Sequence, residues 1–208
     1  MRVVPKAGWR LSTDPADMGG MLYDLGAHLV DQALRLMGPV ASVVASVRTV
    51  RGTGSDDDVT LLLTHVSGAV SHIVASQIGA FGSPRMSLFG TRGGLRIDAS
   101  DTQEAALASG RSPADPQWGR EPESSDAVLR TYDDASALSE SAVALVPGAW
   151  TAFYPGVAAA LRGDQAPPVL LEDVISNLRV LDAARESAAT GSIVRLAPPA
   201  GHLASSTS

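Results

Sequence analysis

The stretch Gly19-Gly-Met-Leu-Tyr-Asp-Leu-Gly-Ala-His-Leu-Val-Asp31 decides how this chain is read. Its two glycines close a turn-rich segment, Ser12 to Gly20, and a helix begins directly after them. From Met21 to Met37 the apolar residues Leu22, Leu25, Leu29, Ala33 and Leu36 recur at helical spacing, and Gly38-Pro39 stops the pattern. Asp24, His28, Asp31 and Arg35 share an adjacent stripe. One side of this helix is expected to face a core, and the other carries polar chemistry.

Downstream of Pro39 the period changes to short β-branched alternations: Val40 to Val50, Val59 to Val66, Ala69 to Ile78, Arg85 to Phe89 and Gly94 to Ile97. Ser67-Gly68 and Thr91 to Gly94 suit tight hairpins, so neighbouring strands are expected to run antiparallel. Ala99 to Ser125, with Pro113, Pro116 and Pro122, reads as a long surface excursion, followed by weaker strands near Ala127 to Thr131 and Ser141 to Val146. A helix over Ala149 to Arg162 contains Pro155, which either kinks it or marks its first turn. In the last helix, Glu172 to Thr190, the expected buried stripe is Val174, Ile175, Leu178, Leu181, Ala184 and Ala188. Ser192 to Leu196 returns as a strand. The fold class is therefore α+β: an open, mostly antiparallel sheet with helices packed on one face. With no repeat and no shift of composition, residues 1–196 read as one domain and residues 197–208 as a disordered tail.

Composition removes several functions. The chain has 208 residues, a formal net charge of -6 and a single lysine, Lys6, so a nucleic-acid surface is not expected. Its sequence pI is about 5.1 and its mean hydropathy +0.11. No apolar run approaches membrane-spanning length and the N-terminus lacks a signal-peptide pattern, which leads to an expectation of a cytoplasmic protein with no membrane partner. Without cysteine, thiolate catalysis, disulfides and Cys-ligated metals are excluded. No metal site is expected, because His65, His72 and His202 have no ligand spacing with Asp24, His28 and Asp31. Neither a G-x-G-x-x-G nor a G-x-x-x-x-G-K-[ST] pattern occurs, so no cofactor-binding residue is assigned.

The Gly19–Asp31 motif resembles the start of the C-terminal domain of the Gfo/Idh/MocA oxidoreductases: two glycines, an Asp, a His four residues on and an Asp three further. Asp101-Thr-Gln-Glu104, Leu107, Gly110, Pro113, Trp118-Gly119, Gly148, Phe153-Tyr154, Pro168-Val169 and Glu172-Asp173 are similar to the subgroup with scyllo-inositol dehydrogenases. The resemblance runs from about Val4 to Leu196. It implies that residues 1–196 form the substrate-binding, catalytic and oligomerisation domain of an NAD- or NADP-dependent enzyme acting on a secondary alcohol of a sugar or cyclic polyol. The family's Rossmann domain and its Glu-Lys-Pro lysine are absent from this sequence, so the expectation is a truncated product, a fragment or half of a split enzyme, inactive alone and binding no cofactor by itself. Met18 stands where a third glycine is common, and Leu170-Leu171 leaves the last helix without a Ser, Thr or Asp cap.

Asp24 and His28 are the candidate catalytic residues. Their i, i+4 spacing puts both on one helix face, and the glycines before them let backbone and ligand approach closely. Oxidising a secondary alcohol needs a base for the hydroxyl proton; histidine is suited to that, and Asp24 would orient it or hold a neighbouring hydroxyl. By spacing alone the alternative stays open that His28 belongs to a structural hydrogen-bond network and Asp24 pairs with Arg35 or another arginine. The motif helix is expected to present both residues to a solvent-accessible cleft. Trp9, Arg10 and Trp118 are the candidate substrate-binding residues, each with packing or a solvated charge as the competing reading. Tyr23 points off the stripe. Asp56-Asp-Asp58 reads as a solvated strand entry, and Phe153 and Tyr154 as core. Small and apolar residues on both faces of the strands lead to an expected homo-oligomer through the uncovered sheet face. A second function class stands beside the enzyme half: a cofactor-free binding or oligomerisation module.

Overall fold

The computed structural model describes residues 8–52, 54–79, 82–99, 101–120 and 126–197. In chain order its elements are α1 (Met21–Asp24), α2 (Gly26–Met37), β1 (Val40–Arg48), β2 (Asp58–His65), β3 (Val70–Ser76), β4 (Met86–Gly90), β5 (Gly93–Ile97), α3 (Gln103–Ala108), β6 (Ala127–Tyr132), β7 (Leu138–Val143), α4 (Phe153–Arg162), α5 (Leu171–Thr190) and β8 (Val194–Arg195). They belong to two compact units, residues 1–80 with 169–208, and residues 81–168. The α+β class with antiparallel pairing is as the sequence led us to expect, and the strands divide into two sheets of four. Residues 198–208 of the expected tail lie outside the described residues.

The first unit carries the sheet β3-β2-β1-β8. Alternation does the sorting: Val43, Val59, Leu61, Leu63, Ile73 and Ala75 point inward and are buried, while Val44, Leu62, Val70 and Val74 stay exposed on the other face. Pairing Val43 with Leu63, Leu61 with Ile73 and Val59 with Ala75 stacks the inner residues into rows. Met21 and Leu22 of α1, Val30 and Ala33 of α2, and Val180, Leu181, Ala183 and Ala184 of α5 close this core.

The helical stripes are rotated from the expected ones. Leu25 and Leu36 are exposed, as are Val174, Ile175 and Leu178, all expected in the core. In α5 the reason is that two polar residues face inward because they have partners there. Asn177 Nδ2 donates to the Ala27 carbonyl of α2 at 2.8 Å. The Ser187 hydroxyl donates to the Ser192 carbonyl at 2.7 Å and accepts the Ala45 amide of β1 at 3.0 Å. A count of apolar periods alone cannot see such satisfied polar anchors. His65 is another: buried at the end of β2, it donates from Nδ1 to the Gly38 carbonyl at 2.7 Å and meets the Ser71 hydroxyl through Nε2 at 2.8 Å.

The second unit carries the sheet β4-β5-β6-β7, antiparallel throughout. Its organising group is Gln103, fully buried. Gln103 Oε1 accepts the Trp118 indole N–H and the Trp150 amide, each at 3.0 Å, and its Nε2 donates to the Asp101 carboxylate. The expected excursion over Ala99 to Ser125 therefore contains a helix, started where the Asp101 carboxylate accepts the Gln103 amide at 2.8 Å. Pro155 sits in the first turn of α4, where its missing N–H costs nothing. Phe153 and Tyr154 are not core: both are exposed, in edge-to-face contact at 5.4 Å. None of the α4 residues is buried, which leaves the pair without a cover.

Candidate functional site

The motif helix is positioned by its two glycines and one carboxylate. A side chain on Gly19 would lie 2.6 Å from the Ser12 carbonyl and 2.7 Å from that of Trp9, and one on Gly20, at φ +94°, would collide with the Asp56 carboxylate. The close approach these glycines permit is thus to the protein's own chain. Asp56 Oδ2 accepts the Leu22 amide at 2.8 Å, and the Asp56 carbonyl accepts that of Met21 at 2.9 Å, so this carboxylate caps the start of α1. Met18 adopts φ +49°, a left-handed conformation that explains why glycine is common there in the family pattern.

The acidic run is structural, which corrects the expectation of a solvated strand entry. Burial raises the Asp56 carboxyl above its ordinary value, although the amides of Leu22 and Met21 and the charge of Arg185 pull it down. Burial works in the same direction on Asp57, but the Arg51 guanidinium, 2.8 Å away, and the amides of Val50 and Arg51 outweigh it and hold the group low. Hydrogen bonds from Arg48 and Ser76 lower Asp58. Arg51 also donates to Gln77 at 2.6 Å, and Gln77 reaches the sulfur of Met21 at 2.8 Å. This network lies directly behind the motif, and an acid-rich segment next to isolated arginines was its only signal in the sequence.

Asp24 is half-buried and receives Arg10 Nε on Oδ2 at 2.9 Å. The Arg10 guanidinium carbon lies 4.7 Å from the centroid of the half-exposed Trp9 ring. Three of the five candidates, Trp9, Arg10 and Asp24, are thereby brought into one chain of contacts. Together with Gly20, Asp56 and Gln77, Arg10 and Asp24 line a cavity of about 10 Å³, roughly the size of one water molecule. His28 stands outside that cavity, exposed on α2, and its imidazole has no hydrogen-bond partner among the described residues. The path between the two continues through Leu25, which joins α1 to α2 in right-handed helical conformation (φ −100°, ψ −35°). Trp118, the fifth candidate, belongs to the second unit and is committed there to Gln103.

The remaining polar residues of the stripe have other partners. Arg35 lies 3.6 Å from Asp31 and 3.6 Å from Asp173, and the three contribute to a cavity of about 470 Å³ between α2, α5 and the end of β8. Tyr23 packs toward α5, where Arg185 lies over its ring at 5.3 Å and donates to its hydroxyl at 3.1 Å. Among the described residues no group of three or more His, Asp or Glu is placed to hold a metal ion. No described helix is long and apolar enough to cross a membrane. Every described strand pair is antiparallel, so none forms the parallel strand–helix crossover whose edge receives a dinucleotide pyrophosphate.

Residues 2–96 match the model of the GFO/IDH/MocA C-terminal domain. The scyllo-inositol 2-dehydrogenase (NADP(+)) IolW of Bacillus subtilis is 30% identical over 182 residues, which cover 88% of this chain and 50% of that protein. The D-xylose 1-dehydrogenase (NADP(+)) 2 of Haloferax volcanii is 25% identical over 193 residues, 93% of this chain and 53% of its own length. Among solved structures, yvaA from Bacillus subtilis superposes with a TM-score of 0.79 at 29% identity, over 85% of this chain and 52% of that one. The chain spans about half the length of these relatives.

Proposed function

The chain belongs to the GFO/IDH/MocA family, whose C-terminal domain it carries, and on that premise we propose that it is the substrate-binding and proton-transfer half of an NAD(P)-dependent oxidoreductase for a sugar or cyclic polyol. Oxidation of a secondary alcohol removes a hydride from carbon and a proton from oxygen. The hydride acceptor, NAD(P)+, belongs to a nucleotide-binding domain that the described residues do not form. His28 takes the hydroxyl proton on an imidazole nitrogen, while Asp24 accepts a hydrogen bond from a neighbouring hydroxyl and fixes the ring of the substrate. Trp9, whose ring lies 4.7 Å from the Arg10 guanidinium carbon, offers an apolar surface of the kind polyol C–H groups pack against. Trp118 is a separate candidate contact within the second unit, where its indole N–H is held by Gln103.

The observation that carries this reading is the exposure of His28 one helical turn beyond an Asp24 that is already tied into a rigid wall. The test is spectrophotometric, following NAD(P)+ reduction with inositol or D-xylose. The chain alone is expected to give no turnover, and the chain supplied with the nucleotide-binding domain of a relative is expected to gain it. His28→Ala should then lower the rate by about 100-fold or more. Turnover by the chain alone, or a His28→Ala variant as active as wild type, refutes the proposal.

The second reading, a module that associates with a second copy of itself, is favoured by the outer face of the first sheet. Val44, Leu62, Val70 and Val74 are all exposed there, on strands whose opposite face is fully used by the core. Association through this face is compatible with the enzyme reading. Light scattering of the chain should give a mass above the monomer, and Leu62→Glu should return it to the monomer; a monodisperse wild-type monomer at high concentration contradicts it.

A further inference from the structure

We infer that Arg10 is a positioning residue for Asp24, and that Trp9-Arg10 is built into the wall of the site to hold that carboxylate in one orientation. The inference rests on the reading of Asp24 and His28 as the polyol site and deepens it. Arg10 Nε reaches Asp24 Oδ2 at 2.9 Å from fourteen positions away in the chain, with the side chains 38% and 22% exposed. The arginine is itself fixed from three directions. Its carbonyl accepts the Gly20 amide at 3.0 Å, which ties it to the turn that starts the motif helix. The same carbonyl accepts the Ser55 hydroxyl at 2.7 Å, which ties it to the loop before β2. Its guanidinium lies 4.7 Å from the centre of the Trp9 ring.

A substrate-binding arginine must turn its donors toward the ligand. Here Nε is directed at Asp24 Oδ2 and the guanidinium carbon is kept 4.7 Å from the Trp9 ring centroid, which couples the cation to the carboxylate. An aspartate has two free side-chain torsions, and α1 is only four residues long. The bond from Arg10 Nε restricts the Asp24 side-chain torsions and with them the alignment of the carboxylate toward a hydroxyl. Lysine cannot take the role, because it has no planar fork to stack on the ring while donating sideways.

The test uses the full chain as wild type, Arg10→Gln, Arg10→Lys, Asp24→Asn and the Arg10→Gln/Asp24→Asn double variant. The first readout needs no ligand: hydrogen exchange at Arg10 Nε by nitrogen-edited NMR. Arg10 Nε–H is expected to exchange at least about tenfold more slowly than that of the exposed Arg92, and to lose this protection in Asp24→Asn. The second is titration with inositol. Arg10→Gln should weaken binding by about tenfold, as loss of a charge-assisted hydrogen bond does, and Arg10→Lys by the same factor. The double variant should be no weaker than Asp24→Asn alone, because Arg10 acts only through Asp24. Exchange as fast as that of Arg92, losses that multiply in the double variant, or rescue by lysine overturns the inference. If wild type and variants alike fail to bind inositol, the polyol reading falls, while Nε–H exchange still decides whether Arg10 holds Asp24.

Discussion

The two units of this protein are built on opposite economies of burial. In the first, β1, β2 and β3 turn one row of side chains inward and α1, α2 and α5 close over that face, so that Val43, Leu61, Leu63 and Leu181 are completely buried. In the second, β7 is exposed along its whole length, α4 buries nothing, and Phe89 is 90% exposed. Its fixed point is polar, a glutamine that joins Asp101, Trp118 and Trp150. The candidate chemistry is anchored differently in the two units. Asp24 and His28 ride on helices held by a dry core, whereas Trp118 depends on a single hydrogen-bonded hub.

Truncating one large side chain in each unit should separate the two most. Leu61→Ala removes a fully buried side chain and should cost about 2–5 kcal/mol of stability in denaturant unfolding, while Phe89→Ala should change it by less than about 0.5 kcal/mol. Equal losses would mean that the second unit hides a core of its own. Gln103→Leu comes next. It leaves the Trp118 indole N–H and the Trp150 amide without their acceptor and should cost about 2 kcal/mol, with a change in near-ultraviolet tryptophan dichroism. The His28 environment, read by NMR, should be unaffected.

The third prediction concerns pH and the first unit alone. Asp57 and Asp58 are held below the ordinary aspartate value of 3.8, so their contribution is present above that value and is lost as pH falls through their lowered values. Asp56 is raised, and the sign reverses: its contribution is fullest below the ordinary value and is lost as pH rises through its raised one. Thermal melts should therefore show stability improving slightly as pH falls through the raised Asp56 value toward 3.8 and then dropping below pH 3.8. Asp56→Asn should abolish the improvement, and Asp57→Asn should reduce the drop. A melt midpoint that falls steadily from neutral pH would contradict the assignment. The smallest effect expected is at Met18, where Met18→Gly relieves a left-handed backbone and should raise stability by up to about 1 kcal/mol.

Much of this fold was legible in the sequence because the strands of the first sheet alternate and the hairpin turns carry their own signals. Val40, Val59 and Arg85, the starts that the β-branched runs indicate, each fall on or within one residue of an observed strand start. The helical stripes were harder. Asn177 and Ser187 look like surface residues by type, and only their partners on Ala27, Ala45 and Ser192 turn them inward. At the site, Asp24 and His28 were visible as a spaced pair, and Trp9 and Arg10 as neighbours in sequence. The Arg10–Asp24 contact was not, because it joins residues fourteen apart around a glycine turn whose geometry no periodicity encodes. Asp56, Asp57 and Asp58 were misread for the same reason: a run of like charges has the composition of a solvated loop, and only the fold brings Arg48, Arg51 and the start of α1 to it.

The central claim, that Asp24 and His28 form the polyol-binding end of this domain, is tested most directly by isothermal titration of inositol and D-xylose into the full chain, its Asp24→Asn variant and its His28→Ala variant. Wild type should bind at least one of these saturably, and each variant should lose about tenfold or more in affinity with its fold unchanged by circular dichroism. Saturable binding that neither substitution weakens, or no binding by wild type, would contradict it.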